Sequence, residues 1–202
     1  MIELYAITDD PRPPDPPLRA VRSNNGLAVL YAPAERREVT SEALWRHEEV
    51  VEALMAERNL LPVRFGTLVR DAGAAVQAVS ERRAELATSL DRVRGAVELA
   101  VRVESREPEP DPARGATSGR DYMSAKARRR AKANLVHEPL TLVSRESFMQ
   151  NGPELLRAAY LVDRVAVEAF VDVVRRLQET HSELDVLCTG PWPPYSFAGG
   201  TS

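Results

Sequence analysis

Few side chains in this sequence could do acid–base, nucleophilic or metal chemistry. The histidines are His47, His137 and His181, and the one cysteine is Cys188. A structural zinc site takes about four ligands of these types. No two of the four residues have ligand spacing, so the histidines read as solvated or helix-capping side chains and no metal is expected. Cys188 stands beside Leu187 in an apolar run and reads as a small buried residue rather than a nucleophile. Ser144 and Ser147 match no nucleophile-elbow pattern. The scattered glycines form neither a phosphate-cradling loop nor a dinucleotide fingerprint. No catalytic residue, cofactor or small-molecule substrate is expected.

Three segments carry binding chemistry instead. The run Lys126-Ala-Arg-Arg-Arg-Ala-Lys132 concentrates positive charge. On a helix these charges spread round most of the circumference. They lack interleaved aromatics on which bases could stack, and the chain as a whole carries a net charge of −3. The run therefore reads as a solvated face or a patch for an acidic protein partner, and nucleic acid is not expected. The second segment is Leu60-Leu-Pro-Val-Arg-Phe-Gly-Thr67. Read as a strand, it puts Arg64 and Gly66 on one side and Phe65 on the other. Glycine weakens a strand unless something approaches closely: either a helix packs over Gly66, or a partner meets Arg64 there. Arg64, Phe65 and Gly66 are the candidate partner-binding residues. The third segment closes the chain, with Pro191, Pro193 and Pro194 interleaved with Trp192, Tyr195 and Phe197. Proline fixes φ and has no amide proton, which predicts a stiff extended arm near polyproline II geometry. Trp192, Pro193, Pro194, Tyr195 and Phe197 are expected to fold back and close the protein's own core as a structural, interdomain arm.

The elements that must position these segments can be read from periodicity. Ile2 to Ile7 and Leu27 to Ala32 read as strands, separated by a loop rich in proline. Ser41 is expected to cap a helix that buries Leu44, Val51, Leu54 and Met55. Pro62 opens a strand over 63–69. Asp71 caps a second helix with Ala75, Val79, Leu86 and Leu90 on its stripe, ended by Gly95. Val97, Leu99, Val101 and Val103 alternate with polar or small residues, as in a half-buried strand. Further on, a helix is expected over 121–137, stopped or kinked by Pro139, then a short strand over 140–143 and a stronger one over 158–162. A helical stripe follows at Val167, Phe170, Val171, Val174 and Leu177, and a last strand over 185–189. Residues 105–119 hold no large apolar side chain and alternate proline with acids, so they read as a mobile linker. The fold class is α+β, with a ferredoxin-like N-terminal domain over 1–104 and a smaller α+β domain over 120–202.

Composition agrees with a soluble globular protein: 202 residues, 44% hydrophobic and 28% charged. A single cysteine fits a reducing cytoplasm. No apolar run approaches the ~20 residues of a membrane span, and Met1 to Leu4 lack the basic start of a signal peptide.

Taken together, several of these motifs resemble the gas vesicle protein F/L family. Leu61-Pro-Val-Arg-Phe-Gly-Thr67 is similar to that family's central motif, with the helix carrying His47 ahead of it. Gly95-Ala-Val-Glu-Leu-Ala-Val-Arg-Val103 is similar to the strand that follows, although Leu99 stands where an aromatic is usual. Ser118-Gly-Arg-Asp-Tyr-Met123, Ala159-Tyr-Leu-Val162 and Thr189-Gly-Pro-Trp-Pro-Pro-Tyr-Ser-Phe197 complete the set in order. The resemblance implies a cytoplasmic accessory protein of gas vesicle assembly, without catalysis. It implies binding to the hydrophobic shell protein and to other gas vesicle proteins, with no membrane attachment, and leaves open retention as a minor component of the vesicle. The alternatives are an RNA-binding regulator that uses the basic run and a small-molecule sensor on a ferredoxin-like sheet.

Overall fold

The computed structural model describes residues 1–10, 12–24, 26–34, 40–106 and 118–199. Two compact units emerge, Met1–Ala96 with Trp192–Ser202, and Val97–Pro191.

The first unit is built on strand β1 (Ile2–Thr8), whose residues are alternately buried and half-buried. Ile2, Leu4, Ala6 and Thr8 point inward, as the period of two requires. Thr8 meets the cost of burying a hydroxyl by donating to the Asn59 carbonyl at 2.6 Å. β2 (Arg19–Arg22) and β3 (Ala28–Pro33) follow, then α1 (Ser41–Glu57), β4 (Leu61–Pro62), β5 (Leu68–Val69), α2 (Ala72–Glu81) and α3 (Arg83–Val93). The sheet runs β2-β3-β1-β4, and β5 also pairs with β1. Every pairing is antiparallel. β1 thus lies between β3 and β4, as the first strand does in a ferredoxin-like sheet. The βαββαβ motif places a helix between its first two strands; here a proline-rich connection takes that place, helix-free among its described residues.

Helix starts follow capping chemistry. Thr40, one residue before the expected Ser41, accepts from the Ala43 amide through its side chain. Asp71 does the same for Ala74 at 2.9 Å. Two readings of this half change. Leu44 is exposed rather than buried. The single helix expected after Asp71 breaks at Arg82, whose ψ of 20° is not helical.

In the second unit, β6 (Ala96–Ser105) leads to α4 (Gly119–Thr141), β7 (Glu146–Met149), β8 (Leu156–Asp163), α5 (Val167–Thr180) and β9 (Leu184–Trp192). The sheet order is β7-β8-β6-β9. Leu99, Val101 and Val103 of β6 join Val136 and Leu140 of α4, Tyr160 and Val162 of β8, and Phe170 of α5 in one core. This differs from the sequence reading, which ended a domain at residue 104 and gave that strand to the first half. Alternation shows that a strand is half-buried but not which sheet it joins. Nor is the outward face of β6 simply solvated, because Glu98 is buried.

The short strand expected over 140–143 is absent. α4 runs through Pro139 to Thr141, and Leu140 is fully buried. Pro139 has no amide to give the Leu135 carbonyl, and the helix ends two residues after it. β2 and β7 were missed: β2 has one half-buried residue and β7 none, so neither carries an apolar alternation to detect. The central residues of the expected linker, 107–117, lie outside the described residues.

Candidate partner-binding site

The Leu60–Thr67 segment is not one strand. Pro62 and Leu61 pair with Ala6 and Ile7, and Leu68 and Val69 pair with Glu3 and Ile2. Val63 to Thr67 therefore bulge out opposite Leu4 and Tyr5. Two backbone hydrogen bonds stitch the base of the bulge, from the Val63 amide to the Tyr5 carbonyl at 2.9 Å and from the Leu4 amide to the Thr67 carbonyl at 3.0 Å. Within it the Thr67 amide closes a turn on the Arg64 carbonyl at 3.2 Å, and the Thr67 hydroxyl donates to the same oxygen at 2.7 Å. Gly66 holds a φ of 77°, the left-handed conformation that glycine adopts without a steric penalty. A Cβ added to it would meet nothing within 4 Å. Gly66 is thus required by turn geometry, not by a helix packed over it, and the strand-face alternation expected for Arg64 and Phe65 does not apply.

His47 backs this turn. It is 2% exposed, neither solvated nor capping as its sequence context suggested. Its Nε2 lies 2.9 Å from the Val63 carbonyl and its Nδ1 3.2 Å from Glu3 Oε1. A carbonyl only accepts, so Nε2 carries a proton and donates. The ring stacks on Tyr5 at a centroid distance of 4.6 Å and meets the edge of Phe65 at 5.5 Å. Glu3 Oε1 also faces the Gly66 amide at 3.5 Å. The sequence offered one signal for this role that was not used: His47 falls four residues before the buried Val51 on the inward stripe of α1.

The result is a turn whose inner residues are fixed while Arg64 stays exposed. No hydrogen bond or ion pair ties the Arg64 guanidinium to the described residues. One exposed apolar side chain adjoins the turn in sequence and another stands on the helix that carries His47. Leu68 follows the turn at 38% exposure, and Trp45, two residues before His47, is 64% exposed. Trp45 was not singled out from sequence, because it sits among Glu42, Arg46 and Glu49 and offers no apolar neighbour pattern.

The terminal segment belongs to the same unit. It is not a polyproline arm throughout: β9 continues to Trp192, and Tyr195 to Phe197 form a 3₁₀ turn. Pro193, Pro194 and Phe197 are buried. Arg92 of α3 donates to the Phe197 carbonyl and, at 2.8 Å, to that of Gly199. The Tyr195 hydroxyl donates to Glu48 of α1 at 3.2 Å. Burial, reinforced by the Glu48 charge, pushes the Tyr195 phenol above its ordinary pKa. Folding back on the core is what the sequence suggested, with Phe197 rather than Trp192 as the deep anchor; Trp192 is 39% exposed.

The other candidates sit apart. His137 Nδ1 lies 2.7 Å from the Tyr160 hydroxyl, and burial lowers the imidazole pKa below 6.5. With Nδ1 unprotonated, the ring accepts a hydrogen bond from the phenol O–H. His181 follows α5 with its amide donating to Leu177, and its Nδ1 lies 3.5 Å from Glu183. Cys188 is half-buried, and burial raises its thiol pKa. Among the described residues no group of three or more His, Cys, Asp or Glu could hold a metal. No described helix is long and apolar enough to cross a membrane.

Comparison with known proteins identifies the family. The model of the gas vesicle synthesis protein GvpL/GvpF family matches residues 4–199. Gas vesicle protein L of a Streptomyces species (strain CB03234) is 30% identical over 85% of this chain and 74% of its own length. Gas vesicle protein F2 of Halobacterium salinarum is 27% identical over 79% of the chain and 70% of its own length. In structure, the chain is similar to GvpF from Anabaena sp. PCC7120, with a TM-score of 0.84 and 20% identity over 100% of this chain and 97% of that one. GvpF from Microcystis aeruginosa gives a TM-score of 0.82 with 18% identity, over 98% of both chains. A match that spans nearly the whole chain, with the fold to go with it, makes this protein a member of the GvpL/GvpF family of gas vesicle proteins.

Proposed function

We propose that the protein is a non-catalytic accessory factor of gas vesicle assembly in the cytoplasm. It binds the hydrophobic shell protein through the face built round Val63 to Thr67, and it binds other gas vesicle proteins elsewhere. One observation carries this reading: Arg64 stands exposed on a turn held by buried His47 and half-buried Glu3. A preorganised turn loses little entropy on binding. Arginine offers five donors in a fixed fork, suited to carboxylates and backbone carbonyls. Exposed Leu68 supplies apolar area directly after the turn in sequence. A shell subunit with a large apolar surface aggregates unless that surface is covered before assembly, and a cover that must later release calls for a modest interface. The test is co-purification with tagged shell protein, followed by a search for this chain in purified vesicles. Capture by the shell protein supports the reading; presence in washed vesicles adds retention as a minor component. No capture at any stage of assembly refutes it.

A further inference from the structure

We propose that the N-terminal half of α4 is a second docking surface, and that its partner is an acidic amphipathic helix of another protein. Helix α4 buries Ala133, Val136 and Leu140 and nothing before them. Steps of four and three residues carry that stripe back along the helix from Leu140 through Val136, Ala133, Arg129 and Lys126 to Tyr122. Such alternating steps keep a seam on one side of a helix and are the spacing by which helices pack together. The seam changes character at Arg129, which donates to the backbone carbonyls of Pro153 and Glu154 and so marks the edge of the unit's own packing.

Beyond that edge about 15 Å of helix continues, with Tyr122 39% and Met123 62% exposed. A helix stretch of this length is marginal in water without a packed face. Its cations Arg120, Lys126, Arg128 and Arg130 are exposed and form no ion pair with the described residues. Four free positive charges on an otherwise acidic chain call for an acidic partner. The three-four seam and its apolar end at Tyr122 and Met123 call for a helix. Single-stranded nucleic acid fits less well, because one aromatic gives no stacking platform.

The probe is a fluorescent acidic peptide of roughly 18 residues, with glutamates flanking a leucine stripe of three-four spacing, long enough to form helix when docked. Titrated with the full chain, it should bind saturably. Charge reversal at two seam and flanking positions, Lys126→Glu with Arg130→Glu, should weaken binding by at least about tenfold, since it turns attraction into repulsion. Arg83→Glu with Arg176→Glu makes the same change in net charge at two exposed helical sites elsewhere and should leave affinity within about twofold. A peptide of the same composition with its leucines scrambled should bind several-fold more weakly. Circular dichroism of each variant keeps misfolding apart from lost binding. The proposal is overturned by any of four outcomes: no saturable binding, an equal loss in the Arg83 and Arg176 variant, tighter and competitive binding of an oligouridylate, or peptide binding that appears only after Glu107, Glu109 and Asp111 are neutralised, which would make the chain's own acidic segment the occupant.

Discussion

The turn at Val63 to Thr67 and the terminal segment from Trp192 to Phe197 are the two sharpest motifs in the sequence, and both belong to the first unit. They use their aromatic residues in opposite ways. The terminal segment spends Phe197 inside, at 3% exposure, and ties its backbone to Arg92 and its Tyr195 hydroxyl to Glu48. The turn uses Phe65 only as an edge against His47 and leaves Arg64 outward. One motif completes a core and the other presents a charge from it. Density of proline and aromatic residues in a sequence therefore marks geometric demand. Whether that demand serves packing or recognition depends on which atoms remain exposed.

The comparison breaks most easily at Phe197. Phe197→Ala removes a buried ring and should cost about 3–5 kcal/mol in denaturant unfolding. Trp192→Ala, at a partly exposed position, should cost clearly less. Equal losses would mean that the segment acts as a uniform clamp rather than through one anchor. His47→Ala comes next. It removes two hydrogen bonds and a stacked ring, and should cost about 2–4 kcal/mol. Because the turn loses its backing, shell-protein binding should fall as well. A variant that binds normally despite that loss of stability would separate the turn from the site. Gly66→Ala forces a Cβ into the left-handed region without any clash to relieve, and should cost about 1–2 kcal/mol. A neutral melting curve for that variant would mean that the turn relaxes readily.

How much of this was legible in the sequence depends on the kind of signal. Strand β1, helix α1 and helix α5 announce themselves by apolar period, and Asp71 by its capping position. The change of sheet at β6 was not legible, because Val97 to Val103 alternate in the same way whichever neighbours they find. The turn was misread as a strand because Pro62, Val63 and Phe65 have strand propensity, and the single glycine that breaks it is compatible with a bulge as well as with close packing. The backing of Arg64 was hidden for another reason. His47 and Glu3 lie 44 residues apart in the chain, and no local pattern links a helix histidine to a strand glutamate. The anchoring role of Phe197 was visible as composition, but its rank over Trp192 is decided by burial alone.

The smallest stability effect belongs to Arg64, and it bears most directly on the central claim that the first unit meets the shell protein through this turn. The measurement is the affinity of Arg64→Ala for the shell protein, paired with its thermal melt. An exposed side chain without an ion pair among the described residues should change unfolding by less than about 0.5 kcal/mol. As the exposed charge of a preorganised turn, it should cost binding at least about tenfold, or ~1.4 kcal/mol. Weaker binding with an unchanged melt is the expected result. Unchanged affinity, or a loss of affinity that only follows a loss of folding, would contradict the account.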